Sequence, residues 1–115
     1  MAIPGFHFSG VYKDSLLNGV KTATIMIDEN YYRLGQEILV YLSDEANLFD
    51  GKIEKRIGKA VIEKIEIKKV KEINENEATN CGSKNLEDLK EALKKWYNAN
   101  DESTITYIKF NLILE

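Results

Sequence analysis

Residues 55 to 71 constrain the fold more than any other part of this chain. Across KRIGKAVIEKIEIKKVK, apolar Ile57, Val61, Ile65 and Ile67 alternate with Lys59, Glu63, Lys64, Glu66 and Lys68. Alternation of this kind means a strand with one face toward a core. The run is far longer than a usual strand. Its parity slips near Ala60 to Ile62, which predicts a bulge or sharp bend. A long strand with a bend built into it is one that curves round a small barrel.

The neighbouring segments supply the rest of such a barrel. Lys21 to Ile27 and Glu37 to Leu42 alternate as strands. Thr104 to Leu114 is apolar on both faces, with Ile105, Tyr107 and Ile113 on one and Ile108, Phe110, Leu112 and Leu114 on the other. That marks a central, well-covered strand. Val11 to Asn18 reads as a short helix stopped by Gly19, and Asn74 to Cys81 as another stopped by Gly82. A third helix is clearer. Asn85 is a good N-cap with Asp88 three residues on, and Leu86, Leu89, Leu93, Trp96 and Tyr97 form one apolar stripe. Tyr31 to Gly35 and Asp44 to Gly51 read as loops, the latter ending in the hairpin-type turn Asp50-Gly51. The expected class is α+β: a partly open β-barrel of about five strands with two or three short helices packed outside. At 115 residues the chain is expected to form one domain, 1–115, with a real core.

Charge is unevenly spread. Residues 1–51 hold 3 basic and 7 acidic side chains, residues 52–71 hold 8 and 3, and residues 72–115 hold 5 and 9. A basic stretch inside a chain of net charge −3 is either an electrostatic footprint for nucleic acid or the solvated face of a long strand. The one cysteine, Cys81, allows no intrachain disulfide, and a reducing cytoplasm is the expected home. No signal peptide or membrane-spanning run is expected.

Most catalytic chemistries are poorly provided for. With one histidine, His7, and one cysteine, a zinc site lacks its ligands, and no metal or cofactor is expected. Cys81 falls at a predicted helix C-terminus, where the dipole disfavours a thiolate. The stretch NGVKTATIM remains. Thr22, Thr24 and Met26 share one strand face, with Ala23, Ile25 and Ile27 on the other. On a regular strand Lys21 faces away from Thr24. The two meet only if the chain turns between Gly19 and Thr22.

The sequence LLNGVKTATI, followed about ten residues later by LGQEILVYL, resembles the ASCH domain family, a branch of the PUA-like folds. Gly19, Lys21, Thr22 and Thr24 match its Gly-x-Lys-Thr-x-Thr element. Gly35, the 55–71 strand, Gly82, the Leu86 to Tyr97 helix, and Ile108 with Phe110 come next in the family order. The resemblance implies a small β-barrel with a cleft near Lys21 and Thr24. It implies RNA or nucleotide binding or, as in some small bacterial members, amide hydrolysis on N4-acetylcytidine nucleosides by a lysine, a threonine and a glutamate. Here Lys21 would be the base and Thr24 the nucleophile. The family's glutamate position holds Cys81, so Glu77, one helical turn earlier, is the candidate carboxylate. The family arginine after Thr-x-Thr is Met26, and its Gly-Asp is Gly35-Gln36. For RNA, the expected phosphate contacts are Lys21, Arg33, Lys55, Arg56 and Lys59, the expected base-stacking residues are Tyr31 and Tyr32, and Thr22 and Thr24 complete the binding set. A protein-interaction module using the same cleft is the third possibility.

Overall fold

The structure, a computed structural model, describes residues 5–8, 12–27, 32–43 and 54–115. Tyr31, the Asp44 to Gly51 loop and its Asp50-Gly51 turn lie outside these residues. Chain order is β1 (Gly5–Phe8), α1 (Lys13–Leu17), β2 (Ala23–Met26), β3 (Glu37–Ser43), β4 (Glu54–Lys69), a 3-10 turn (Val70–Glu72), α2 (Glu75–Asn80), α3 (Leu86–Tyr97) and β5 (Thr104–Leu114). The five strands form one mixed sheet in the order β1-β3-β4-β5-β2. β1 runs parallel to β3, and the other three pairings are antiparallel.

β4 is the long strand that the alternation predicts, and it carries two irregularities. Opposite β3 the register shifts between Val40 and Tyr41, leaving Ile57 as the extra residue. Opposite β5 it shifts between Ile62 and Lys64, leaving Glu63 extra. The predicted bend therefore falls just past Ile62. The inward set differs from the expected one: Ala60 and Ile62 are buried, whereas Ile67 is 69% exposed. Each bulge reverses the facing of the residues beyond it, so no single alternation describes the whole strand. Gly58 admits close packing, since a Cβ there would lie 2.2 Å from the Ile113 carbonyl oxygen.

Both faces of the sheet are covered. On the concave face Phe6, Phe8, Ile38, Val40, Leu42, Ala60, Ile62, Ile108 and Phe110 pack with Leu16 of α1. On the other face Ala23, Ile105 and Tyr107 pack under Ala78 and Cys81 of the α2 region and Leu89 and Leu93 of α3. β5 lies between β4 and β2 and contributes to both cores, as its two apolar faces require.

β2 is shorter than the strand read from Lys21 to Ile27, because Lys21 and Thr22 precede it. α1 is closed by its C-cap Asn18, and Gly19 takes φ +80°, a turn that suits glycine. The Lys21 N–H then donates to the Ser15 carbonyl at 2.9 Å and the Thr22 N–H to that of Asn80 at 2.7 Å. The Thr22 carbonyl accepts from the Phe110 N–H at 2.9 Å. These bonds set the chain direction just before the strand.

Candidate functional site

β1 and β2 are the two edges of the sheet. A cleft of about 280 Å³ is lined by residues of both edges, with Tyr12, Cys81 and the inner side of α3 completing it. Lys21 and Thr24 both line it. Thr24 pairs with Ile108 across β2 and β5, which turns it to the concave face. Lys21 reaches the cleft from the turn ahead of the strand.

Lys21 is only 4% exposed. Its Nζ donates to the Ala23 carbonyl at 2.9 Å and to the Cys81 carbonyl at 2.7 Å. The same ammonium lies 4.6 Å from the centroid of the Tyr12 ring and 5.1 Å from that of Phe8, within cation–π range. A Cβ on Gly82 would sit 3.4 Å from Lys21 Cδ and 3.3 Å from Tyr12 Cδ1, so the lysine stem is packed where it stands. Burial lowers its pKa to about 8. Burial pushes the adjacent Cys81 thiol up to about 11, although Lys21 draws it partly back. Cys81 is the C-cap of α2 and buried, and an inert thiol is what that setting produces. Burial likewise raises the Tyr12 phenol.

Of the other expected site residues that the structure describes, none lines the cleft. Glu77 is buried, and its carboxylate is engaged elsewhere: Oε1 accepts from the Asn74 N–H at 3.0 Å and Oε2 from Lys68 Nζ. Thr22 is half-buried and held through its backbone. The ring of Tyr32 packs on Phe6 at 5.4 Å. Arg33 is exposed in the turn before β3, where its N–H donates to Gln36 Oε1 at 2.9 Å. Lys55 is exposed, Arg56 pairs with Glu115 at 2.6 Å, and Lys59 with Glu37 at 3.4 Å. Among the described residues no cluster of three or more His, Cys, Asp or Glu side chains is placed to hold a metal ion. No helix among them is long and apolar enough to cross a membrane.

The aromatic lining is a feature that sequence reasoning missed. Phe8 and Tyr12 flank the lysine, and Trp96 and Tyr97 stand at the outer end of α3, 73% and 56% exposed. One signal was present. The apolar stripe of α3 extends through Trp96 and Tyr97, and the buried part of the helix stops at Leu93.

No protein-family model matches the sequence, and no curated protein matches it at a significant level. Solved structures do match in shape. The crystal structure of an ASCH domain from Lactobacillus crispatus JV V101 aligns with a TM-score of 0.72 at 16% identity, over 96% of this chain and 82% of that one. Protein EF3133 from Enterococcus faecalis V583 aligns with a TM-score of 0.66 at 15% identity, over 99% and 82%. The hypothetical protein PH0355 aligns with a TM-score of 0.62 at 15% identity, over 94% and 100%. The match in shape gives this chain an ASCH-like fold, a five-stranded mixed sheet curved into a half-barrel with short helices packed on it.

Proposed function

We propose that the cleft binds a single nucleobase, presented by a nucleoside or by an unpaired RNA nucleotide. The observation that carries this reading is the pair Trp96 and Tyr97, two large aromatic side chains left exposed beside a cleft whose floor holds a lysine. Exposed aromatics beside a concave site suit stacking on a planar ligand. The volume, about 280 Å³, lies just under the range of drug-sized pockets and suits one nucleotide unit better than several. Flanking phosphates of an RNA would meet Arg33, Lys55, Arg56 and Lys59 outside the cleft. The exposed ion pairs of Arg56 and Lys59 are weak enough to exchange.

Trp96 is the single tryptophan, so its fluorescence reports on the cleft directly. Titration with nucleosides and with short unpaired RNA is expected to quench it saturably. Tyr97→Ala is expected to weaken binding roughly 5- to 150-fold, the scale of one stacked base. Absence of saturable quenching by either ligand would refute the proposal. If RNA is the ligand, affinity falls steeply with salt, and the double variant Lys21→Ala, Arg33→Ala lowers that slope by about 1.4.

A second reading, hydrolysis of the amide of N4-acetylcytidine, draws on one feature. The Lys21 pKa of about 8 is near that of a working general base, and Thr24 shares its cleft. Glu77 enters this reading only by exchanging its bonds to Lys68 and Asn74. Release of cytidine from N4-acetylcytidine is the assay, and turnover that survives Thr24→Val removes the proposed nucleophile.

A further inference from the structure

We infer that the ligand carries a terminal phosphate, and that this phosphomonoester docks on the Lys21 ammonium at the cleft floor. The inference rests on the reading of the cleft as a base site and adds the charge of the group that enters it. A phosphomonoester has two sources, a free mononucleotide or the phosphorylated end of an RNA.

Charge balance comes first. No described carboxylate forms an ion pair with Lys21. Among the described residues its partners are two carbonyl oxygens and two ring faces. Carbonyl dipoles and ring quadrupoles solvate an ammonium without neutralising it, so a positive charge remains in a water-poor place. An ammonium has three donors, and two are used by the Ala23 and Cys81 carbonyls. The third is left for an acceptor in the cleft.

The same rings decide the sign of the ligand. Phe8 and Tyr12 would serve a cationic ligand, but they already hold the protein's own cation. A second cation would meet repulsion, whereas an anion would meet attraction in a low-dielectric setting.

Depth decides the kind of anion. Lys21 is 4% exposed, while Trp96 and Tyr97 at the rim are 73% and 56% exposed. A group that ends the ligand reaches such a floor. An internal phosphodiester continues on both sides and would have to carry its chain through the floor. The amine is also fixed beforehand, by the Lys21 N–H bond to Ser15 and by the stem packed against Tyr12 and Gly82, so docking costs little ordering.

The test uses Trp96 fluorescence of the full chain with matched ligand pairs: cytidine and its 5′-monophosphate, adenosine and its 5′-monophosphate, and one short RNA with and without a 5′-phosphate. The phosphorylated member is expected to bind roughly tenfold to a hundredfold tighter, the scale of one charge-assisted hydrogen bond. Gain confined to the mononucleotides, or confined to the RNA, names the source. In Lys21→Met the ratio is expected to fall close to one. The wild-type ratio stands as a test on its own should that variant fail to fold. Equal binding within each pair overturns the inference and leaves the base site standing. A preference that persists in Lys21→Met overturns the assignment to Lys21. No binding by any member overturns the base site itself.

Discussion

Two neighbouring side chains, Lys21 and Cys81, set opposite responses to alkali. Burial holds the Lys21 ammonium to about 8, against about 10.4 in an unfolded chain. As pH rises through that window the folded state gives up its proton first and the unfolded state binds more. Stability therefore rises with pH between about 8 and 10.4 from this group, by roughly 3 kcal/mol. The Cys81 thiol, pushed up to about 11, acts the other way. Its unfolded counterpart ionises near 8.5, so its contribution is complete below that value and is lost as pH climbs through 11. The two nearly cancel in the wild type. Urea unfolding followed by Trp96 fluorescence at stepped pH is expected to show this. Cys81→Ala should gain stability from pH 8 to 10.4, and Lys21→Met should lose it from about 8.5 to 11. A flat profile for Cys81→Ala would show that the buried lysine is not depressed. At this scale the sequence was only half legible. The motif residues were visible, but the Lys21 amine is settled by the Cys81 carbonyl, sixty positions away in the chain.

The helices show how much local chemistry the sequence states outright. Asn85 caps α3 as expected, its Oδ1 accepting from the Asp88 N–H at 2.8 Å. Asn74 caps α2 in a reciprocal pair with Glu77, at 2.8 and 3.0 Å. Glu77 also takes Lys68 from β4, and Asn80 Nδ2 donates to the Tyr107 hydroxyl at 3.2 Å. α2 is thus pinned to the sheet at both ends. Asn85→Ala is expected to cost about 1 kcal/mol. Glu77→Gln, which keeps a capping oxygen, should cost less than Glu77→Ala, which leaves Lys68 and the Asn74 N–H without that partner. Thermal melts of the three variants check the order. Glu77 was legible as a residue worth naming. Its engagement with Lys68 was not, because that bond joins a helix to a strand.

Across the whole molecule, curvature is what creates the cleft. β1 and β2 lie at opposite ends of the sheet order, yet both line one hollow. Phe110 of β5 packs its ring 5.6 Å from Phe6 and 6.0 Å from Phe8, although β5 and β1 are not neighbours in the sheet. These rings hold the concave face closed on itself, with the two bulges of β4 supplying the bend. Phe110→Ala is expected to destabilise the fold by roughly 3–5 kcal/mol. It should also weaken ligand binding in the same preparation below its melting temperature, since β1 loses its anchor. Unchanged binding there would mean that the cleft does not depend on this closure.

β1, at four residues, is too short to show a period; the sequence by itself determined β2 to β5, the three helices, the Asn85 cap, the bend in β4 and the central place of β5. Each of those depends on side-chain periodicity or on bonds between near neighbours in the chain. Only the tertiary structure decided that the Lys21 amine, the Thr24 side chain and the α3 aromatics share one hollow, while Arg33, Lys55, Arg56, Lys59 and Glu77 do not line it. The physical reason is that such a site is assembled from sheet edges and helix ends far apart in the chain. Their meeting is set by sheet order and curvature, and neither of these leaves a periodic trace in the residues.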